Sequence, residues 1–169
     1  QLITNARLET AIDIMSDIKN VVETNEIFRW LFPEYCPDLA PKHLRNRCKW
    51  LSDRVDFPCS RYAGRKEGNI ECMGVEASRV SKHYDHIWFD DAVNDINTAT
   101  KEYRDKIFKW FKNALQLRHD LTSPIYLIGT RWHFDDLYAR LIKTEKDRRK
   151  SIKEAGNKVT PYLWIYHRQ

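Results

Sequence analysis

The chain has little of what would mark a secreted, membrane-spanning or redox protein. It has only five glycines, Gly64, Gly68, Gly74, Gly129 and Gly156, and none opens a GxxxxGK[ST] loop of the kind that cradles phosphates. Its four cysteines, Cys36, Cys48, Cys59 and Cys72, lie far apart, with no CxxC pair and no histidine at finger spacing, so neither a zinc site nor a redox motif is indicated. They read as ordinary reduced thiols. No apolar run approaches the roughly 18 residues of a membrane span, and no charged-then-apolar leader opens the chain, which points to an intracellular protein. Internal repeats and low-complexity stretches are also missing.

What is present suits one folded domain with a substantial core: 169 residues, 42% hydrophobic, 12% aromatic and 31% charged. The net charge of +5 is unevenly placed. Residues 1–100 carry 13 Lys and Arg against 16 Asp and Glu, whereas residues 101–169 carry 16 against 8. A basic C-terminal part suits a polyanion, with Arg148, Arg149 and Lys150 in "KTEKDRRKSIK" as candidate DNA contacts. The same run also reads as a solvated helix face.

Local patterning gives an alternating order of elements. "QLIT" reads as the end of a strand, and Ala6, Ala11, Ile14, Ile18 and Val22 fall on one side of a following helix. The three prolines of "FPEYCPDLAPKH" make that stretch irregular. "RVDFP" and "GNIECMG" read as short strands around the turn "SRYAGRKEG", and "VEASRVSKHYD" as a loop. A strand in "HIWFDD" precedes a helix in "TATKEYRDKIFKWFKNALQLRH", whose apolar stripe is Tyr103, Ile107, Trp110, Phe111, Ala114 and Leu115. "SPIYLIGTRW" is a further strand, followed by a helix for which Asp135 supplies a cap, and "YLWIYH" a last strand. This alternation predicts an α/β layered sheet with Asp90, Asp91, Thr130 and Arg131 at one, C-terminal edge, where open α/β sheets bind ligands.

The stretch "HIWFDDAVND" carries the chemistry. Adjacent acids repel, so Asp90 and Asp91 at the end of an apolar strand call for a bound cation, and a divalent metal is the obvious one. A strand delivering an acid pair has the form of a Walker B element, in which the first acid holds Mg²⁺ and the second orients or deprotonates the water that attacks the γ-phosphate. Acids at such a turn also serve simply as Asx-turn or capping groups.

Three stretches taken together, "IWFDDAVND", "KWFKNAL" and "PIYLIGTRWHFDDLYARLI", closely resemble the ATPase domain of the large terminase subunit of tailed phages. The upstream "LITNARLETAIDIMSDIKNVVETNEIFRWLFPEYC" is similar to the strand and helix that follow the Walker A helix in that family. The likeness spans nearly all of residues 1–142. It implies a P-loop NTPase fold of the additional-strand type, a mainly parallel sheet flanked by helices, and a motor that uses ATP and Mg²⁺ to drive double-stranded DNA into a capsid in the host cytoplasm. Portal protein, small terminase subunit and a homo-oligomeric ring are the partners it implies. Carried over by position, Asp90 matches the Walker B metal carboxylate and Asp91 the neighbouring catalytic acid, which is Glu in many relatives. Thr130 matches the coupling residue that senses the γ-phosphate. Arg79 and Lys82 lie where a ring ATPase presents an arginine finger. The resemblance also implies a Walker A strand and loop ahead of Gln1, with residues 1–169 forming part of one motor domain and no nuclease domain among them.

Other readings stay open at this level. A metal-dependent nuclease would gather Asp85, Asp90, Asp91 and Asp95 around two metals, and a module without turnover would keep only a DNA- or subunit-facing surface. Arg131 is placed to pair with Asp90, Asp91, Asp135 or Asp136. His83 and His86 bracket Asp85 but share no fixed face for a metal. Trp132, Trp164 and Tyr166 read as packing residues.

Overall fold

The computed structural model describes residues 1–60, 66–75, 77 and 81–158. The expected strand in "YLWIYH", with Trp164 and Tyr166, and the candidate finger Arg79 lie outside the described residues. Among those described, five strands form one sheet: β1 (Leu2–Asn5), β2 (Arg54–Val55), β3 (Ile70–Gly74), β4 (Ile87–Asp90) and β5 (Ile125–Ile128). Their order is β2-β3-β1-β4-β5. All neighbouring pairs are parallel except β2 with β3, where "RVDFP" contributes only the two residues Arg54 and Val55 to a short antiparallel edge. The chain is thus an α/β protein with a mostly parallel sheet flanked by helices.

β1 is the central strand and is buried throughout, as a strand covered on both faces must be. Side-chain alternation divides its contacts. Leu2 joins Ile87 and Phe89 of β4 in a core closed by α5 (Lys101–Ala114) and the start of α6 (Leu137–Glu154). Ile3 joins Ile70 and Cys72 of β3 under α1 (Leu8–Thr24), which contributes Ala11 and Met15. Ile14 and Ile18 lie at the margin of that cluster, while Ala6 precedes the helix.

The helix expected after Asp95 divides in two. α4 (Asp95–Thr98) is closed by a reciprocal Asn94–Asn97 capping box, and Thr100 then caps α5 by accepting the Tyr103 N–H. Ile107, Trp110, Phe111 and Ala114 are buried as the periodicity requires, but Tyr103 is 46% exposed because the first turn of α5 overhangs the core. The proline-rich stretch holds a 3₁₀ turn at Pro33–Tyr35 and a short α3 (Lys42–Arg45), preceded by α2 (Glu26–Leu31). All four cysteines are free. No helix among the described residues is long and apolar enough to cross a membrane.

Candidate active site

The C-terminal ends of β1, β4 and β5 meet at one edge of the sheet, so the polar residues that finish these strands become neighbours. Asp90, the last residue of β4, stands opposite Ile128. Alternation turns its side chain away from Phe89 and toward the α1 side, where the buried Asn5 amide donates to Asp90 Oδ2 at 3.4 Å. Burial first, and then the adjacent Asp91 charge, push the Asp90 carboxyl above its ordinary range, and the Asn5 bond offsets part of this.

Asp91 holds the turn out of β4. Its φ is +40°, a left-handed conformation that Asp tolerates better than most residues. Three bonds fix it there. Its N–H donates to the Ile128 carbonyl at 3.0 Å, its carbonyl accepts from the Ala6 N–H at 3.1 Å, and its Oδ1 accepts from the Thr130 N–H at 3.3 Å. The exposed carboxylate is therefore anchored through Oδ1, while Oδ2 takes no hydrogen bond among the described residues.

Behind this turn stands Tyr138, from the first turn of α6. Its hydroxyl donates to the Ile128 carbonyl at 3.1 Å, and burial together with the Asp91 charge pushes its ionisation up. A Cβ on Gly129 would overlap that hydroxyl and lie 2.6 Å from Tyr138 Cζ and 3.1 Å from Asp91 Oδ1. Only glycine fits between the tyrosine and the acid. The following loop is held by Asp136 rather than Asp135. Asp136 is fully buried and accepts from the N–H groups of Trp132 at 2.9 Å, His133 at 3.2 Å and Ala139 at 2.9 Å, capping α6 and fixing the loop at once. Asp135 is instead engaged by Arg140 at 2.7 Å and Arg104 at 3.5 Å, and the Arg140 guanidinium lowers its pKa to about 2.

No family model and no curated protein matches the chain.

Several expected roles are redirected by the geometry. Lys82 is committed within the chain: its Nζ lies 2.6 Å and 2.8 Å from the two carboxylate oxygens of the fully buried Glu71, which also accepts from Tyr84 Oη and the Gly68 N–H at 2.7 Å each. A lysine held this way is not a finger for a neighbouring subunit. Arg131 pairs with none of the four expected acids and donates to the Phe134 carbonyl at 3.4 Å. Trp132 is 53% exposed and packs no core. His86 stacks on Tyr126, and His83 Nδ1 lies 3.4 Å from the Arg118 carbonyl, so neither turns to a metal.

The four-carboxylate cluster is not assembled. Asp85 lies before the start of β4 and Asp90 is its last residue, so the two stand toward opposite ends of the strand. Asp95 begins α4, and no group of three or more His, Cys, Asp or Glu among the described residues is placed to hold a metal. Asp90 and Asp91 alone fit Mg²⁺, which takes one or two carboxylates and completes its shell with water and substrate phosphate. The raised pKa of Asp90 marks the acid whose charge such an ion would relieve.

Asn5, Gly129, Tyr138 and Asp136 are the site residues that sequence reasoning missed. Asn5 carried a signal, as a polar residue ending an apolar strand like Asp90. Tyr138 carried none, because its role depends on α6 folding back onto β5.

Proposed function

We propose that the chain is the part of a DNA-packaging ATPase of the large-terminase type that carries the Walker B and coupling motifs, with a P-loop NTPase fold, acting on ATP and double-stranded DNA only together with a Walker A segment that these 169 residues lack. The observation that carries this reading is the bond from the Thr130 N–H to Asp91 Oδ1, which ties the end of β5 to the acid at the end of β4. That bond is made by the backbone N–H, so what favours a motor over a nuclease is the Thr130 hydroxyl it holds beside the acid, for which a nuclease has no use, whereas a motor must pass the state of its nucleotide to the rest of the domain.

In this reading Asp90 holds the magnesium ion of the nucleotide, with Asn5 keeping its carboxylate in place. That ion, when bound, offsets the negative charge on the phosphates. Asp91 Oδ2 accepts the proton of the attacking water as its oxygen bonds to the γ-phosphorus, and the bond to the leaving ADP oxygen breaks. Thr130, exposed and one bond from Asp91, responds to loss of the γ-phosphate, and the Tyr138 hydroxyl conveys that movement to α6 through the Ile128 carbonyl. DNA, portal protein, small subunit and a ring of identical subunits follow from the resemblance alone.

Asp91→Asn tests the proposal in the full-length protein. Asparagine keeps an oxygen for the Thr130 N–H and tolerates φ > 0, so the fold and nucleotide binding are retained. Turnover should fall roughly 100-fold or more with the loss of a general base. Turnover within a factor of two of wild type would place the base elsewhere.

A further inference from the structure

Two arginines stand on either side of the acid pair, and the backbone attaches both in the same way. β4 lies between β1 and β5, which are about 10 Å apart across two strand spacings. Arg7 follows the end of β1 by two residues, and Arg131 follows the end of β5 by three. The residue before each is tied to Asp91: the Ala6 N–H donates to the Asp91 carbonyl at 3.1 Å, and the Thr130 N–H to Asp91 Oδ1 at 3.3 Å. The next amides are fixed as well. The Arg7 N–H donates to Asn5 Oδ1 at 3.2 Å, and the Trp132 N–H to Asp136 Oδ2 at 2.9 Å.

The main chain at both arginines is therefore held, while the side chains are exposed and have no carboxylate partner among the described residues. The acids nearest to Arg131 in the chain are already taken, Asp135 by Arg140 and Arg104, and Asp136 by three N–H groups. Arg131 makes one long contact, 3.4 Å to the Phe134 carbonyl, and Arg7 stands at the N-cap position of α1 without a side-chain capping bond. Neither neutralises the strand-end acids. Burial and the Asp91 charge push the Asp90 carboxyl up, and the Asn5 amide is what opposes them. Arginines with a purely structural role at this edge would close on Asp90 and Asp91 and block a metal. Two open acids between two uncommitted guanidinium groups instead complement a metal-bound polyphosphate: the carboxylates take the ion, and the planar forks take phosphate oxygens that the ion does not reach.

We propose that Arg7 and Arg131 grip the non-bridging oxygens of the γ-phosphoryl group from opposite sides and stabilise the charge that gathers there during transfer. Both roles rest on Asp90 and Asp91 forming a nucleotide site. As the oxygen of the attacking water bonds to phosphorus, its proton goes to Asp91, and the electron pair of the breaking bond leaves on the ADP oxygen. The arginines move no proton and act by charge alone. Arg131 gives up its weak bond to the Phe134 carbonyl in doing so.

The test is steady-state ATP hydrolysis by the full-length protein, with the Kd for ADP measured beside it. Arg7→Ala and Arg131→Ala should each lower kcat roughly 100-fold and leave ADP affinity within about twofold, because ADP lacks the γ-phosphate. Thermal unfolding should hardly move, since neither side chain caps a helix or pairs with an acid. Lysine at either position should recover only part of the loss, as an ammonium replaces the charge but not the fork. Asp91→Asn serves as the companion variant. If it slows turnover while either arginine variant keeps the wild-type kcat, the γ-phosphoryl grip is overturned and the nucleotide site stands; if all three turn over like wild type, both fall together. Turnover restored by mixing the Asp91→Asn and Arg131→Ala proteins would place Arg131 at a neighbouring subunit's nucleotide and overturn the proposal. A fall in ADP affinity that matches the fall in kcat would mark general damage to the site and overturn it too.

Discussion

Gly129→Ala should be among the most costly single-methyl additions in the molecule. The new Cβ would overlap the Tyr138 hydroxyl and come within 2.6 Å of Cζ, against a tyrosine that is itself only 5% exposed and has no room to retreat. Either the hydrogen bond from Tyr138 to the Ile128 carbonyl breaks or the 128–130 turn moves off Asp91. Overpacking of this kind costs about 1–3 kcal/mol and the lost hydrogen bond about 1 more, so a total near 3 kcal/mol is expected. In a domain of this size that corresponds to a fall in Tm of roughly 6–12 °C.

The mechanism is isolated by a second change. Tyr138→Phe removes the overlapping oxygen and costs about 1 kcal/mol by itself, since the Ile128 carbonyl keeps its bond from the Asp91 N–H. Gly129→Ala should then be cheaper in the Tyr138→Phe background than in wild type, by about 1 kcal/mol, with the ring carbon still too close for full relief. Urea unfolding of the four proteins supplies the cycle. A Gly129→Ala cost below about 0.5 kcal/mol, or additivity of the two changes within that margin, would show that the turn yields freely and that Tyr138 does not set its position.

Lys82→Met should destabilise the protein by about 3 kcal/mol, because it takes from the buried Glu71 charge the lysine that contacts both of its carboxylate oxygens. Burial alone would raise the Glu71 pKa, but the Lys82, Tyr84 and Gly68 bonds outweigh it and the net shift is downward. That carboxylate therefore adds stability above the ordinary Glu range and loses it as pH falls through the lowered value, so the Lys82→Met deficit should shrink in acid denaturation series. Asp90→Asn should do the reverse in the nucleotide-free protein: its pKa is raised, so the ionised form costs stability at neutral pH, and the variant should gain roughly 1–3 °C in Tm there and nothing below the carboxylate range. Asp136→Ala orphans three N–H groups at once and should cost about 2–3 kcal/mol by urea unfolding, more than an ordinary cap.

Periodicity carried α1, α5, β4 and β5, since each has enough apolar positions at a single spacing to fix its type and buried face. The pairing of Asp90 and Asp91 at a strand end was equally plain, because a short apolar run can hardly deliver two acids anywhere but at its exit. What sequence could not supply was partnership across space. Asp135 and Asp136 are equivalent as capping candidates in the string, and only the position of Arg104 and Arg140 decides which one is free to cap. Lys82 read as an available loop cation until β3 brought Glu71 beneath it. The run of basic residues on α6 gave no sign in the string that Glu145 serves two arginines at once.

The position of β1 also bears on how the chain reaches its native state. The central strand of the sheet has no partner close to it in sequence, since Leu2 pairs with Glu71 on one side and Ile87 on the other. Its four buried residues have no permanent neighbour until both of those distant segments are in place, and each pairing closes a long loop at an entropic cost that local contacts do not repay in advance. Until then "LITN" is a sticky, unsatisfied strand whose misplacement would block both halves of the sheet, so the slow step of folding belongs to the docking of this central strand rather than to the acidic edge.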